Sequence, residues 1–244
     1  MAAFGDAFRL TLLTDDPQLA ATADHAGVDR IGVDLERIGK AERQAGEDTR
    51  MSQHDWDDLV AIARVRRRAE LFVRINPVNP ATGDEIETAL RAGAQVIMLP
   101  FFHTAEEVDV FVRRIGRRAK TVVLVETAAA AVRIRDIVAV PGIDEVMFGL
   151  NDLRLQLGVS NHFEVLASPL LDGLAREVLA ANLALSVGGV ARHDDTSLPI
   201  SPDLVYAQFP RLGATGAWLA REARRMAAGT APSAPATGSG ATGS

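Results

Sequence analysis

There is no cysteine in the 244 residues, so disulfides, thiolate metal sites and a cysteine nucleophile are excluded, while the redox compartment stays open. The first residues, MAAFGDAFRL, have no basic region followed by an apolar core, the pattern that a secretory signal needs. No apolar run approaches the roughly 20 residues of a membrane span. A cytoplasmic protein without a membrane partner is therefore the expectation. A surplus of positive charge is missing as well: 26 Lys and Arg stand against 32 Asp and Glu, for a formal net charge of -6. That balance argues against general binding to nucleic acid or anionic lipid and leaves room only for a local basic site.

What is present is a chain that is 48% hydrophobic and 24% charged, ordinary for a globular domain. Its length is close to the roughly 250 residues of a single (β/α)₈ barrel. Segments 8–14 (FRLTLLT), 28–36 (VDRIGVDLE), 70–77 (ELFVRINP), 94–100 (AQVIMLP), 121–126 (TVVLVE), 145–149 (EVMFG), 183–190 (LALSVGGV) and 214–220 (ATGAWLA) read as strands. Helical stretches alternate with them. The stretch 54–69 is one, with Trp56, Leu59, Val60 and Ile62 to bury and a cationic end that suits the helix dipole. Others run from about Ala129 to Val140 and from about Leu170 to Asn182. Apolar runs bounded by turn residues indicate strands buried on both faces, and strand-helix alternation implies parallel pairing through right-handed crossovers. Eight such units predict a closed (β/α)₈ barrel, since an open doubly wound sheet commonly has about five or six strands. The barrel is expected to occupy residues 1–228. Residues 229–244, rich in Ala, Gly, Ser, Thr and Pro, are expected to be a disordered tail.

In such barrels the active site lies at the C-terminal ends of the strands. Strand two ends there with Asp34 and Glu36, strand three with Arg74 and Asn76, strand four with Pro100 and then His103, strand five with Glu126, strand six with Asn151 and Asp152, and strand seven with Gly188, Gly189 and Arg192. Neighbouring strands lie roughly 4.8 Å apart. Glu126 and Asp152 can therefore converge on one hard cation, which favours oxygen ligands. The competing reading makes both of them helix N-terminal acids favoured by the dipole. Arg74 interrupts an apolar run, and a buried charge needs a partner. Asp34 or Glu36 serves that need, or a substrate carboxylate does. His103 is either a catalytic base or a loop residue, and His54 either a catalytic base or a surface residue at a helix start. His25, His162 and His193 read as surface residues. The polar stretch 37–53 is long for a strand-to-helix connection, which marks it as functional.

The motifs DPQLAATADHAGVDRIGVDLE, FVRINP, GAQVIMLP, LVETAAA and VPGIDEVMFGLNDLRLQLG, in this order, resemble those of the HpcH/HpaI aldolase and citrate lyase β-subunit superfamily over roughly residues 8–221. The resemblance implies a (β/α)₈ barrel. It also implies a divalent ion, Mg²⁺ or Mn²⁺, held by Glu126 and Asp152, and an arginine, Arg74, that contacts the carboxylate or enolate oxygen of a 2-keto acid. Gly149 and Asn151 belong to the same G-x-x-D-L neighbourhood and are candidate substrate contacts. The implied reaction is metal-dependent carbon–carbon cleavage or aldol addition through a pyruvate-type enolate, which a cation and a guanidinium both stabilise.

Two positions depart from that pattern. Aldolases of the HpaI type carry a histidine where this chain has Arg37, and citrate lyase-type members often carry a lysine where it has Phe101. The base is thus open between His103, His54 and Glu36. The strand-two loop, DLERIGKAERQ, resembles a branch without an assigned substrate. Lys40, Arg43 and Arg192 are candidates for an anionic co-substrate, such as an aldehyde or sugar, or else solvated loop charges. An acyl-CoA lyase or thioesterase and a noncatalytic accessory barrel are the alternatives. The resemblance further implies a homo-oligomer.

Overall fold

The structure, a computed structural model, describes residues 8–40, 53–190 and 200–219. Strands Arg9–Leu13 (β1), Arg30–Asp34 (β2), Glu70–Arg74 (β3), Val96–Leu99 (β4), Lys120–Val125 (β5), Glu145–Phe148 (β6), Ala184–Val190 (β7) and Gly216–Leu219 (β8) pair in chain order. All pairs are parallel, and β8 pairs back onto β1, so the sheet closes. This is the expected (β/α)₈ barrel. The boundary near residue 228 and the tail 229–244 lie outside the described residues.

Alternation along each strand sorts side chains into two cores. Ile31, Val33, Leu71, Val73, Ile97, Leu99, Val123 and Val125 point outward and bury against the helices. Leu13, Phe72, Val96, Met98, Val122, Leu124 and Met147 fill the barrel interior, with Trp218 packed against them. Both faces are dry, which is why the strands read as continuous apolar runs rather than as alternating ones.

The helices among the described residues are Pro17–His25 (α1), Trp56–Val65 (α2), Thr82–Arg91 (α3), Ala105–Ile115 (α4), Ala128–Val132 (α5), Ile134–Val138 (α6), Leu150–Leu157 (α7), His162–Leu166 (α8), Pro169–Ala180 (α9) and Pro202–Leu212 (α10). Their starts follow local chemistry. Asp16 accepts from the backbone of Gln18 and Leu19, and Asp55 and Thr104 form capping boxes with Asp58 and Glu107. None of the helices is long and apolar enough to cross a membrane.

Three local expectations change. The helix expected over Ala129–Val140 is two five-residue pieces that meet at Arg133, held to the barrel by Ala130, Ala131, Ile134 and Ile137. Asn151 and Asp152 do not end strand six but lie in the first turn of α7, where the dipole favours an acid. The arginine run does not finish a helix: α2 ends at Val65, and the backbone N–H groups of Arg67, Arg68 and Ala69 donate to the buried Asp24 at 2.9, 2.9 and 2.6 Å. Three backbone donors hold that carboxyl below its usual range against the opposing effect of burial.

The floor of the barrel is polar. Arg30 reaches across from β2 to the opposite strand β6, where Nη1 donates to Glu145 Oε2 at 2.7 Å, and Ser186 Oγ donates to the other oxygen of the same carboxylate. Arg30 Nε also lies 3.5 Å from Glu70, which Lys120 reaches from outside. Two cations thus meet two carboxylates, so the floor is balanced internally.

Gly32 faces inward between Arg30 and Asp34, and a Cβ there would lie 1.6 Å from the carbonyl oxygen of Phe72 on β3. No rotamer relieves a clash with backbone. Gly32→Ala is expected to force β2 and β3 apart and to destabilise the barrel by more than the ~3 kcal/mol at the upper end of ordinary overpacking. Urea denaturation of the variant beside the parent checks this, and a loss under 1 kcal/mol would refute it.

Candidate active site

Asp34 and Arg74 are direct partners in the β2–β3 register and stand at the C-terminal ends of both strands. Arg74 donates from Nε to Asp34 Oδ1 at 2.7 Å and from Nη2 to Oδ2 at 2.6 Å, a two-point fork. Its Nη2 is also 3.4 Å from Glu36 Oε2. Lys40 Nζ completes the group, 2.8 Å from Asp34 Oδ2 and 3.2 Å from Glu36 Oε2. All four side chains are buried. Burial acts to raise the Asp34 carboxyl, but Arg74 and Lys40 outweigh it and hold the group well below its usual range. Burial also acts to lower Arg74, and the charges of Asp34 and Glu36 overcome that effect, so the guanidinium stays protonated.

Glu126 and Asp152 arrive from neighbouring strands. Glu126 follows β5, and Asp152 sits on α7 directly after β6; both are buried. Their carboxyls lie within hydrogen-bonding reach of one another. Burial pushes Glu126 well above the usual carboxylate range, and the nearby charges of Glu36 and Asp152 push it the same way against the pull of Arg74. The backbone N–H of Phe101 donates to Glu126 Oε1 at 3.0 Å. On the other side, a Cβ at Gly149 would stand 2.8 Å from Glu126 Oε2, so only glycine leaves that oxygen its space. Asp152 Oδ1 is buried and has no hydrogen-bond partner.

The mouth therefore gathers four carboxyls, Asp34, Glu36, Glu126 and Asp152, around two cations, Lys40 and Arg74. Such an excess of buried negative charge is relieved by a proton or by a cation. The donor set is all oxygen, which suits a hard divalent ion. Among the described residues, no third His, Cys, Asp or Glu joins Glu126 and Asp152 in a metal-binding group. A hard ion held by these two residues would thus keep positions open to ligand and water. The orphaned Asp152 oxygen and the raised Glu126 both fit an ion between them.

The candidate bases fall elsewhere. His54 is buried, not superficial, and its Nδ1 accepts the backbone N–H of Asp34 at 3.0 Å. That bond places the proton of the neutral ring on Nε2, which lies 3.9 Å from Asp15, so His54 is no ready proton acceptor. His103 is exposed, with Nδ1 4.0 Å from Glu107 in the capping box and its ring edge-on to Phe101. Glu36 is occupied by Lys40 and Arg74. Arg37, at the position of the missing histidine, points its guanidinium away, onto the carbonyls of Gln53 and His54 at 3.3 and 2.9 Å.

The substrate-contact candidates divide similarly. Lys40 is neither a solvated loop charge nor a free anion ligand, because its ammonium is bound to Asp34 and Glu36. The Oδ1 of Asn151 accepts from Arg154 Nε at 3.4 Å, and Asn76 organises the strand-two loop by accepting from the N–H groups of Arg37 and Ile38 at 2.8 and 3.1 Å. Arg43 and Arg192 lie outside the described residues, as does His193. The reading of the sequence singled out no residue of β8, yet Trp218 packs against Arg74, whose Cζ is 4.9 Å from the indole centroid. The two-residue period of that strand carries the only signal for it.

Removing Asp34 leaves Arg74 and Lys40 buried without their shared carboxylate. Asp34→Asn is expected to cost about 3–5 kcal/mol at neutral pH. A folded-state pKa below the ordinary value of 3.8 means that the stabilisation is complete above that value and is lost as pH falls through the lower folded-state value. Urea denaturation should show a large gap between parent and variant at pH 7 that narrows below the ordinary value. A gap absent at pH 7, or widening in acid, would contradict the assignment.

Similarity to known proteins agrees with this fold. No curated protein matches the chain. Solved structures share its fold, among them an HpcH/HpaI aldolase from Desulfitobacterium hafniense DCB-2, with 18% identity, 87% of this chain and 85% of that chain covered, and a TM-score of 0.67. An HpcH/HpaI aldolase/citrate lyase family protein from Burkholderia cenocepacia J2315 has 18% identity, 91% of each chain covered and a TM-score of 0.69. The citrate lyase beta subunit from M. tuberculosis, complexed with oxaloacetate and magnesium, has 20% identity, 92% of this chain and 96% of that chain covered, and a TM-score of 0.64. The family model for HpcH/HpaI aldolase/citrate lyase matches residues 9–188, and the chain belongs to that family.

Proposed function

We propose that this protein is a divalent-metal-dependent carbon–carbon lyase or aldolase that acts through the pyruvate-type enolate of a 2-keto acid. The observation that carries the reading is the buried Glu126–Asp152 pair, which has more negative charge than its surroundings match and an Asp152 oxygen without a partner. When bound there, Mg²⁺ or Mn²⁺ would draw electron density from the keto and carboxylate oxygens of the substrate. Magnesium in the related citrate lyase beta subunit supports that choice.

The chain's own residues supply the rest. Asp34 takes Nε and Nη2 of Arg74, and Nη1 makes no hydrogen bond among the described residues, so one edge of the guanidinium is open to an oxyanion. A donor already fixed in place costs no reorganisation when charge develops on the substrate oxygen. Lys40 balances Asp34 and Glu36, which keeps those carboxylates from competing for Arg74 at full strength. Gly149 and the Phe101 N–H hold the Glu126 carboxyl in one orientation. These groups would supply the electrostatic half of enolate chemistry. A noncatalytic accessory barrel is the second reading, favoured because His103 is exposed beside the Glu107 capping box and Nδ1 of His54 is taken up by the Asp34 N–H. A coenzyme A thioester reading gains nothing from Lys40, which is occupied.

Pyruvate incubated in D₂O separates the readings. With Mg²⁺ or Mn²⁺ the parent is expected to exchange the methyl protons, followed by loss of their NMR signal, and a chelator should stop it. Glu126→Gln and Asp152→Asn should each lower the exchange rate by at least about 100-fold, and Arg74→Lys by about 10²–10³-fold, the range for one lost oxyanion donor. A folded protein that exchanges no protons with either ion would favour the noncatalytic barrel.

A further inference from the structure

Trp218 lies beyond the residues that the family model matches, on the last strand of the barrel. It packs against the interior cluster and stands edge-on to Phe72, with ring centroids 6.4 Å apart at 84°. Those neighbours are buried, whereas Trp218 is only partly so. A side chain that enters a closed barrel near the C-terminal end of a strand and still meets solvent meets it at the mouth. There the indole lies against Arg74, with Cζ 4.9 Å from the ring centroid. Its Nε1 is buried without a hydrogen-bond partner, a penalty that phenylalanine would avoid. Packing alone therefore does not account for the larger ring.

Two constraints act on the guanidinium, the Asp34 fork and the indole face. The Asp34 fork grips two nitrogens within the guanidinium plane, which fixes direction but resists tilting weakly. An aromatic face resists tilting, and of the aromatic side chains indole attracts a cation most strongly. We propose that Trp218 is a positioning residue of the keto-acid site: it holds the plane of Arg74 so that Nη1 presents to a ligand oxyanion, and its exposed part forms the apolar wall beside a small planar 2-keto acid. The inference deepens the enolate reading and rests on it for the ligand.

The chain has one other tryptophan, Trp56, on α2 outside the barrel, so Trp56→Phe leaves Trp218 as the single indole fluorophore. Oxalate, a planar dianion that mimics the pyruvate enolate, is titrated into this variant with Mg²⁺ or Mn²⁺ present, and both heat and indole emission are followed. The emission is expected to shift and to saturate with the calorimetric dissociation constant. Trp218→Leu should lower the melting temperature through the cavity it leaves and should weaken oxalate about fivefold while leaving metal affinity in place, and Trp218→Phe should recover part of both losses. A purely structural role would lower the melting temperature and either leave oxalate affinity unchanged or weaken oxalate and metal together. Should the leucine variant fail to fold, the emission titration and the phenylalanine variant carry the test. Oxalate that binds by heat, leaves the emission unchanged and binds the Trp218 variants as tightly as the parent would overturn the role of Trp218 alone. Absence of any oxalate heat in the parent with either ion would overturn the keto-acid reading, and this inference with it.

Discussion

The fork between Arg74 and Asp34 is the contact on which the mouth of this barrel depends. The two residues face each other across adjacent parallel strands, so register alone brings guanidinium and carboxylate into two-point contact. Desolvating two charges is expensive, and the contact stands because further partners surround it: Lys40 on Asp34, Glu36 beside Nη2 and the indole of Trp218 below. Every other feature of the site is placed relative to that fixed cation. Glu126 feels it as a pull against its raised pKa, and the fork leaves Nη1 as the nitrogen that Asp34 does not take.

The two ends of the barrel solve the same problem differently. At the floor, Arg30 and Lys120 meet Glu145 and Glu70, so the buried charges balance within the protein. At the mouth, two cations face four carboxyls, and one buried Asp152 oxygen has no partner. Between them lies an apolar plug led by Phe72, Met98 and Met147, which keeps the two charged layers apart. A balanced layer serves stability, whereas an unbalanced one asks for a ligand. The difference lies in net charge and not in unpaired atoms, since Arg30 Nε and Glu70 Oε2 at the floor also lack hydrogen-bond partners, and it is on that charge that the proposed function rests.

Much of this was legible in the chain. Eight apolar runs separated by helical stretches are enough to predict closure, because strands buried on both faces need helices outside and one another at the edges. The acids Glu126 and Asp152 follow successive runs, and their place at one rim follows from parallel pairing. Gly32 and Asp34 share a face by the two-residue period of a strand. Lys40, His54 and Trp218 were not legible in the same way. Each takes its role from a partner far along the chain or across a loop: Lys40 folds back on Asp34, His54 accepts from the Asp34 backbone across twenty positions, and Trp218 meets Arg74 only when β8 closes the ring.

Hydrophobic pattern and local capping by themselves settle the number of strands, their direction and which end carries the acids, because those depend on near neighbours and on burial of whole segments. Only the closed barrel decides which charges are satisfied and which are left over. It turns Lys40 inward, engages His54 with the Asp34 backbone, leaves His103 exposed beside Glu107 and sets an indole beneath the arginine. Such outcomes depend on distances of a few ångströms between side chains of remote strands, and no periodicity along one chain encodes them.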